Sequence, residues 1–127
     1  MPKRESIDLP GAAHNAPIPN GCRVGNMLFS SAFAGRDPKT GNIPEDPDEQ
    51  AAVLFSNIKA FLDHAGASAE DIGMVTVFMK DDKYRDSINK EWVKMFPDEH
   101  SRPARHAITS PVRGNLYFQV EFIAVLN

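Results

Sequence analysis

The sequence predicts a two-layer α+β domain in which two helices cover one face of a mixed sheet of five or six strands. Segments with strand-like and helix-like periodicity follow one another in the order β, β-hairpin, α, β, α, β, β. Each helix carries a single apolar stripe, as a helix packed on a sheet does. A length of 127 residues suits one domain, to which we assign residues 1–127.

The first three strands are predicted close to the N-terminus. Residues 5–9 alternate in polarity, which predicts a short edge strand that ends at Pro10. Two further strands, 22–24 and 27–31, flank Gly25-Asn26. This dipeptide suits a tight hairpin turn with positive φ, so the two strands are expected to pair directly.

The first helix has signals at both ends. Asp46 is the predicted N-cap, Pro47 the first helical residue and Glu49 the capping-box partner, while Gly66 closes the segment. The apolar residues that recur at helical spacing between these ends are Ala51, Leu54, Phe55, Ile58, Phe61, Leu62 and Ala65. The segment is therefore predicted to be an amphipathic helix that faces the core.

A strand over 74–79 and a second helix over about 83–96 follow. The apolar stripe of this helix comprises Tyr84, Ile88, Trp92, Met95 and Phe96. Pro97 ends the helix, since proline cannot continue it.

The C-terminal segment 116–126 is almost entirely apolar, aromatic or β-branched, which predicts a strand buried on most of both faces. Pro and Gly between 109 and 115 suit a turn, so 103–109 and 116–126 are expected to form an antiparallel hairpin. Arg105 would then lie opposite Val120 or Glu121, which brings a guanidinium and a carboxylate into one neighbourhood. Large apolar residues remain for the second sheet face, which predicts self-association.

Composition excludes several classes of function. The chain is 42% hydrophobic and 24% charged with a net charge of −3, and it has no basic stripe for nucleic acid. Its apolar runs are too short for a membrane span and its N-terminus is unlike a signal peptide, so we expect a cytoplasmic protein. The single cysteine, Cys22, excludes an intrachain disulfide framework. The four histidines, which lack the spacing of metal ligands, are His14, His64, His100 and His106.

Several segments, taken in order, resemble the Rid (YjgF/RidA) family of imine and enamine deaminases across essentially the whole chain. They are the hairpin from Gly25 to Ser31, Asp37–Gly41, the segment from Asn89 to Trp92, Pro103–Arg105 and Val120–Val125. The resemblance implies a chorismate-mutase-like fold and a homotrimer whose sheets line a central barrel. It also implies active sites in the clefts between subunits.

The resemblance implies an activity as well: hydrolysis of small 2-imino or 2-enamino carboxylates to 2-keto acids and ammonia. Arg105 matches the family's substrate-binding arginine, and Glu121 matches the glutamate that orients the attacking water. Arginine suits that task because its planar, permanently charged fork binds a carboxylate through two donors. Ser31 would line the pocket and Asn89 would support it. No metal or organic cofactor is expected, because an imine carbon is already electrophilic.

Two positions depart from the family pattern. Ile18 stands where many active members have tyrosine, and Ala107 stands where many have cysteine. We expect both residues to line the substrate pocket and to make it less polar on one side. Such a pocket suits a bulkier or more apolar side chain on the imine, or a different unsaturated amino acid such as a ring-cleavage product.

Simpler interpretations stand beside these. Arg105 and Glu121 could form a structural ion pair across the hairpin, Ser31 could merely end a strand, and Asn89 could be a cap or surface residue. The alternative function is a non-catalytic trimeric protein that binds small carboxylates and has a regulatory or chaperone-like role. Retention of Glu121 favours the enzyme, because binding alone requires only Arg105.

Overall fold

The computed structural model describes residues 2–11 and 16–127. Within these ranges it contains six strands and two α-helices. The strands are β1 Arg4–Ile7, β2 Gly21–Val24, β3 Met27–Ser30, β4 Ile72–Met79, β5 Ala104–Thr109 and β6 Phe118–Val125. The helices are α1 Pro47–Ala65 and α2 Arg85–Met95.

The six strands form one mixed sheet in the order β1-β2-β3-β6-β4-β5. β5 runs parallel to β4, and all other neighbours are antiparallel. A parallel pair needs a crossover connection, and α2 supplies it between β4 and β5. The predicted two-layer α+β arrangement with a mixed sheet is confirmed.

Local signals in the sequence place α1 and the first hairpin correctly. The Asp46 carboxylate accepts a hydrogen bond from the Glu49 N–H at 3.0 Å, and Pro47 is the first helical residue. Gly66 ends the helix in the left-handed region at φ 75°. Gly25, at φ 60°, turns β2 into β3, and Val24 stands opposite Met27.

The core lies between the two helices and one face of the sheet. Side chains of β4 and β6 that point towards the helices alternate with exposed or half-buried ones, as expected for a sheet covered on one side. Phe33, Phe61 and Phe122 form an aromatic cluster with ring centroids 5.3 to 6.3 Å apart. This packing fixes which face of each strand remains open.

The predicted antiparallel hairpin between 103–109 and 116–126 is wrong. β5 and β6 are not neighbours, because β4 lies between them and pairs with both. The α2 crossover delivers β5 to one edge of β4 in the parallel sense, and β6 returns to fill the other edge. The turn residues between the two strands therefore belong to a longer connection.

The prediction that the last strand is buried on both faces is also wrong within one chain. In β6 the residues facing the helices are buried, whereas Glu121, Ile123 and Val125 are exposed. Met27 lies opposite Val125 and extends this open apolar surface onto β3. The uncovered apolar sheet face is thus confirmed, and its association with another copy stays a prediction.

Neither described helix combines the length and the apolar character that crossing a bilayer requires. The cytoplasmic location stays a prediction.

Candidate active site

Arg105 lies on β5 at the edge of the sheet and points to the side that the helices cover. Its neighbour across the strand pair is the buried Val75, which fixes this face. The guanidinium carbon lies 4.8 Å from the ring centroid of Trp92 on α2. Burial, together with the positive charge of Arg85, lowers the pKa of Arg105. The charged form is therefore less well solvated than that of a surface arginine.

The Arg105 guanidinium is not fully hydrogen-bonded within the part of the chain that the structure describes. Nη1 is buried and has no hydrogen-bond acceptor among the residues that the structure describes. No carboxylate within these residues forms an ion pair with Arg105. A buried donor without an acceptor is costly, and a bound carboxylate would remove that cost.

Two other predicted site residues lie on the elements that carry Arg105 and Trp92. Ala107 follows two residues along β5, on the same face, and packs partly buried against the core. Asn89 lies three residues before Trp92 on α2 and is half-buried. We call Arg105, Ala107, Asn89 and Trp92 the arginine group.

Glu121 lies on the opposite, open face of the sheet. It stands directly across from Thr76 of β4 and is exposed, without an ion pair among the described residues. A shallow cavity of about 210 Å³ borders its side chain. The residues that line this cavity are Phe29, Ser30, Met74, Thr76, Glu121, Phe122 and Ile123.

Ser31 follows β3 and holds the loop that contains Ile18 against the end of this strand. Its hydroxyl donates to the Pro19 carbonyl at 2.7 Å, and its N–H donates to the Asn20 carbonyl at 2.9 Å. Ile18 in this loop is 52% exposed. The Ser31 hydroxyl thus has a structural partner, and its place beside a substrate stays a prediction.

Ser30 fixes the end of β3 to β6. Its Oγ accepts a hydrogen bond from the Phe122 N–H at 2.7 Å, next to Glu121. The loop is therefore held to the end of β3, and the end of β3 is held to β6 beside Glu121. We call Glu121, Ser30, Ser31 and Ile18 the glutamate group.

A single chain does not bring the two groups together. Val75 and Thr76, which face Arg105 and Glu121 respectively, are consecutive residues of β4, so the two side chains project from opposite faces. The expected single neighbourhood within one chain is wrong. The simpler interpretation of a structural ion pair across a hairpin is wrong for the same reason.

Sequence reasoning assigned neither Trp92 nor Thr76 to the site. The apolar stripe of α2 accounts for Trp92, although the same ring also lies under the guanidinium carbon of Arg105. Thr76 faces both Glu121 and His106 on the open surface. The strand-helix-strand spacing of β4, α2 and β5 is typical of a parallel pair. It could have indicated that Thr76 of β4 lies beside His106 of β5.

Within the described ranges, no group of three or more His, Cys, Asp and Glu side chains could hold a metal ion. His14 lies outside the described residues.

The fold and the two groups define a class of small α+β proteins. Its mark is a partly buried arginine at the edge of a mixed sheet, with a donor that has no acceptor among the described residues. A profile of the Endoribonuclease L-PSP family matches residues 12–126, and the chain belongs to this family. The resemblance to the Rid (YjgF/RidA) proteins is confirmed by relatives and structural neighbours that carry these names.

Individual relatives match along most of their length. The 2-iminobutanoate/2-iminopropanoate deaminase of Escherichia coli is 32% identical over 111 residues, which is 86% of this chain and 87% of that protein. The YjgF gene product of E. coli superposes with a TM-score of 0.87 at 30% identity, covering 97% of this chain and 99% of that one. E. coli TdcF, solved with bound serine, superposes with a TM-score of 0.86 at 28% identity over 97% of this chain and 98% of that one.

Proposed function

We propose that this protein is a hydrolytic deaminase that converts small 2-imino and 2-enamino carboxylates to 2-keto acids and ammonia. The observation that carries the proposal is the half-buried Arg105 guanidinium, which lies over Trp92 and whose Nη1 has no acceptor among the described residues. A relative named 2-iminobutanoate/2-iminopropanoate deaminase supports the chemistry. The serine bound to TdcF supports the size and the carboxylate of the ligand.

In the proposed reaction, Arg105 holds the substrate carboxylate and Glu121 accepts a proton from a water molecule. A 2-enamino carboxylate first becomes the imine, as one proton leaves nitrogen and one joins C3. The water oxygen bonds to C2 while the π electrons of the C=N bond move to nitrogen. Glu121 then returns its proton to the nitrogen. The second proton of the water also passes to the nitrogen. The C–N bond breaks, ammonia leaves, and the oxygen stays as the keto group. The reaction involves no change in oxidation state, so it requires no redox cofactor.

We propose that each site combines the arginine group of one copy with the glutamate group of the next. The opposite orientations of Arg105 and Glu121 support this arrangement, because one small substrate cannot contact both within a chain. The exposed apolar residues Ile123 and Val125 lie on the same face as Glu121, where another copy would cover them. A homotrimer, as the family resemblance implies, would build such sites around its axis.

In this arrangement Ile18 and Ala107 would contribute to one pocket from two chains. Ile18 belongs to the exposed loop of the glutamate group, and Ala107 belongs to β5. Neither side chain offers a hydroxyl or a thiol. The pocket is therefore expected to favour substrates with an apolar side chain.

A non-catalytic carboxylate-binding protein is the second candidate. The buried Nη1 of Arg105, which has no acceptor among the described residues, is its support, because Arg105 alone suffices for capture of a carboxylate. Glu121→Gln distinguishes the two candidates. For an enzyme, the substitution slows hydrolysis and spares binding of 2-oxobutanoate. For a binding protein, no variant hydrolyses imines faster than buffer.

The direct test is ammonia release from 2-iminopropanoate and 2-iminobutanoate, each generated in situ by an amino-acid oxidase. Wild type is expected to accelerate hydrolysis, and Arg105→Ala to reduce it to the uncatalysed rate. Arg113→Ala is the matched control, because it removes the same side chain from an exposed connection. Turnover by Arg105→Ala at the wild-type rate would refute the assignment of Arg105.

A further inference from the structure

Trp92 packs in the core and also contacts the Arg105 guanidinium. We infer that Trp92 is the positioning residue that orients the Arg105 guanidinium for in-plane binding of the substrate carboxylate. The inference rests on the proposed function, in which Arg105 binds the carboxylate. It adds a residue on a different element, since Trp92 lies on α2 and Arg105 on β5.

The ring is a fixed surface. Trp92 is only 8% exposed, and it packs edge-on against Phe96 with ring centroids 4.7 Å apart and an interplanar angle of 61°. Ile88, one turn earlier on the same stripe, is 1% exposed and anchors the helix to the core. A ring held in this way cannot follow the arginine if the arginine moves, so it limits where the guanidinium can lie.

The guanidinium has no other described partner that could orient it. Its carbon lies 4.8 Å from the ring centroid, within the range of a cation–π contact, whereas Nη1 has no acceptor among the described residues. The guanidinium carbon lies over the ring, so the ring blocks the approach of an anion from that side. A guanidinium limited in this way can present its N–H donors for two-pronged binding of a carboxylate.

An interaction that orients the carboxylate clamp acts equally on bound substrate and on the transition state. Its loss should therefore raise KM and leave kcat nearly unchanged. Loss of general core packing would instead lower stability and the active fraction. The division between KM and kcat thus separates positioning from a purely structural role.

The variants are Trp92→Phe and Trp92→Tyr, which keep an aromatic face, and Trp92→Leu, which removes it. We expect Trp92→Leu to raise KM for 2-iminobutanoate between about threefold and thirtyfold, the range of a partly buried cation–π contact. The aromatic variants should stay within about threefold of wild type. Ile88→Val is the packing control, and it should leave KM unchanged. If Trp92→Leu does not fold, Trp92→Met replaces it.

Trp92 also provides a readout that does not depend on turnover, because it is the only tryptophan in the chain. Titration with 2-oxobutanoate should change its fluorescence saturably in wild type and not in Arg105→Ala. Calorimetry with the same keto acid compares wild type with Trp92→Leu, which should bind more weakly by the same factor as its rise in KM.

The outcomes separate the inference from the proposed function. If wild type binds 2-oxobutanoate but does not hydrolyse imines, the deaminase proposal fails, and weaker binding by Trp92→Leu still supports the positioning role. If wild type hydrolyses imines and Trp92→Leu keeps the wild-type KM, only the positioning role is overturned. Absence of any Arg105-dependent fluorescence change also overturns it.

Discussion

Arg105 and Glu121 stand opposite consecutive residues of β4, Val75 and Thr76, and therefore project from opposite faces of one sheet. Neighbouring strands lie about 4.8 Å apart, and β4 separates the two strands that carry these residues. Contact of both side chains with one small substrate thus requires two chains. In a closed ring of identical subunits, each head-to-tail interface would supply one arginine and one glutamate.

This relationship predicts complementation between two inactive variants. Arg105→Ala and Glu121→Gln should each lose deaminase activity when pure. After the two are mixed in equal amounts, dissociated and reassembled, about a quarter of the sites should combine an intact arginine with an intact glutamate. Imine hydrolysis by the mixture should therefore recover to about a quarter of the wild-type rate.

The controls for complementation are each variant carried alone through the same reassembly, and a mixture of Arg105→Ala with the double variant. None of these can form an intact site between chains. If the equal mixture stays as inactive as its components, although it contains mixed oligomers, the shared site is refuted.

A second prediction concerns the open apolar face. Val125, 47% exposed on β6, should be buried when copies associate, so Val125→Asp places a carboxylate in an apolar contact. We expect the dissociation constant to rise about a hundredfold or more, measured by sedimentation velocity across a dilution series. Val93→Asp is the matched control, because Val93 is 49% exposed but lies on α2, in the helix layer. Equal association of both variants and wild type would show that the open face is not the contact surface.

Much of the fold follows from local chemistry in the sequence. The ends of α1 are fixed by Asp46 and Gly66, whose preferences act within one turn of the helix. The β2–β3 turn depends in the same way on the dipeptide Gly25-Asn26, in which Gly25 has φ 60°. Strand order is different, because it depends on which distant edges pair. The turn-like residues before β6 could not reveal that β6 passes to the far side of β4.

The burial of β6 shows why the site was harder to predict than the fold. The sequence does not distinguish an apolar residue that its own helices cover, such as Phe122, from one that another chain covers, as we propose for Ile123. The sequence therefore suggested a strand buried on both faces. Trp92 was obscured for a related reason: the apolar stripe of α2 accounts for a tryptophan without any reference to Arg105.

A third prediction concerns Gln50, a fully buried polar residue on α1. Its amide Nε2 donates to the Pro44 and Asn115 carbonyls at 3.0 and 3.2 Å, and its Oε1 accepts from the Tyr117 N–H at 2.7 Å. Gln50→Ala would leave these backbone groups unpaired, so we expect it to lower the free energy of unfolding by about 2–3 kcal/mol. Urea unfolding at one fixed protein concentration measures the change, since association would otherwise contribute.

The control for Gln50 is Asn57→Ala, which removes an amide at a half-buried position of the same helix. Asn57 donates to the Ala34 and Arg36 carbonyls, both at 2.9 Å, nearer to solvent. Water can replace those hydrogen bonds, so the loss should be smaller, about 1 kcal/mol. Equal losses for the two variants would show that burial does not decide the contribution of Gln50.

The last prediction concerns Asp48, which joins α1 to α2. Its carboxylate accepts hydrogen bonds from Lys90 Nζ and Ser87 Oγ, both at 2.6 Å, and the hydrogen bond from Lys90 is the main reason that the pKa of Asp48 is lowered. A pKa lowered in the folded state gives stability that is present above the unfolded pKa and is lost as the pH falls through the folded pKa. Wild type should therefore exceed Asp48→Asn in stability at neutral pH, and the difference should shrink below about pH 4.

The stability that comes from the contact between Asp48 and Lys90 is also lost at alkaline pH, in this case because Lys90 loses its charge. The hydrogen bond to Asp48 raises the pKa of Lys90, so its contribution persists at neutral pH and is lost only as the pH rises through the folded pKa, above about pH 10. Urea unfolding of wild type and Asp48→Asn across this range should show a difference that closes at both ends. Asp63→Asn, which breaks an exposed ion pair within α1, is the control and should differ little from wild type at any pH. A constant difference between wild type and Asp48→Asn from acid to neutral pH would mean that the charge on Asp48 does not join the helices.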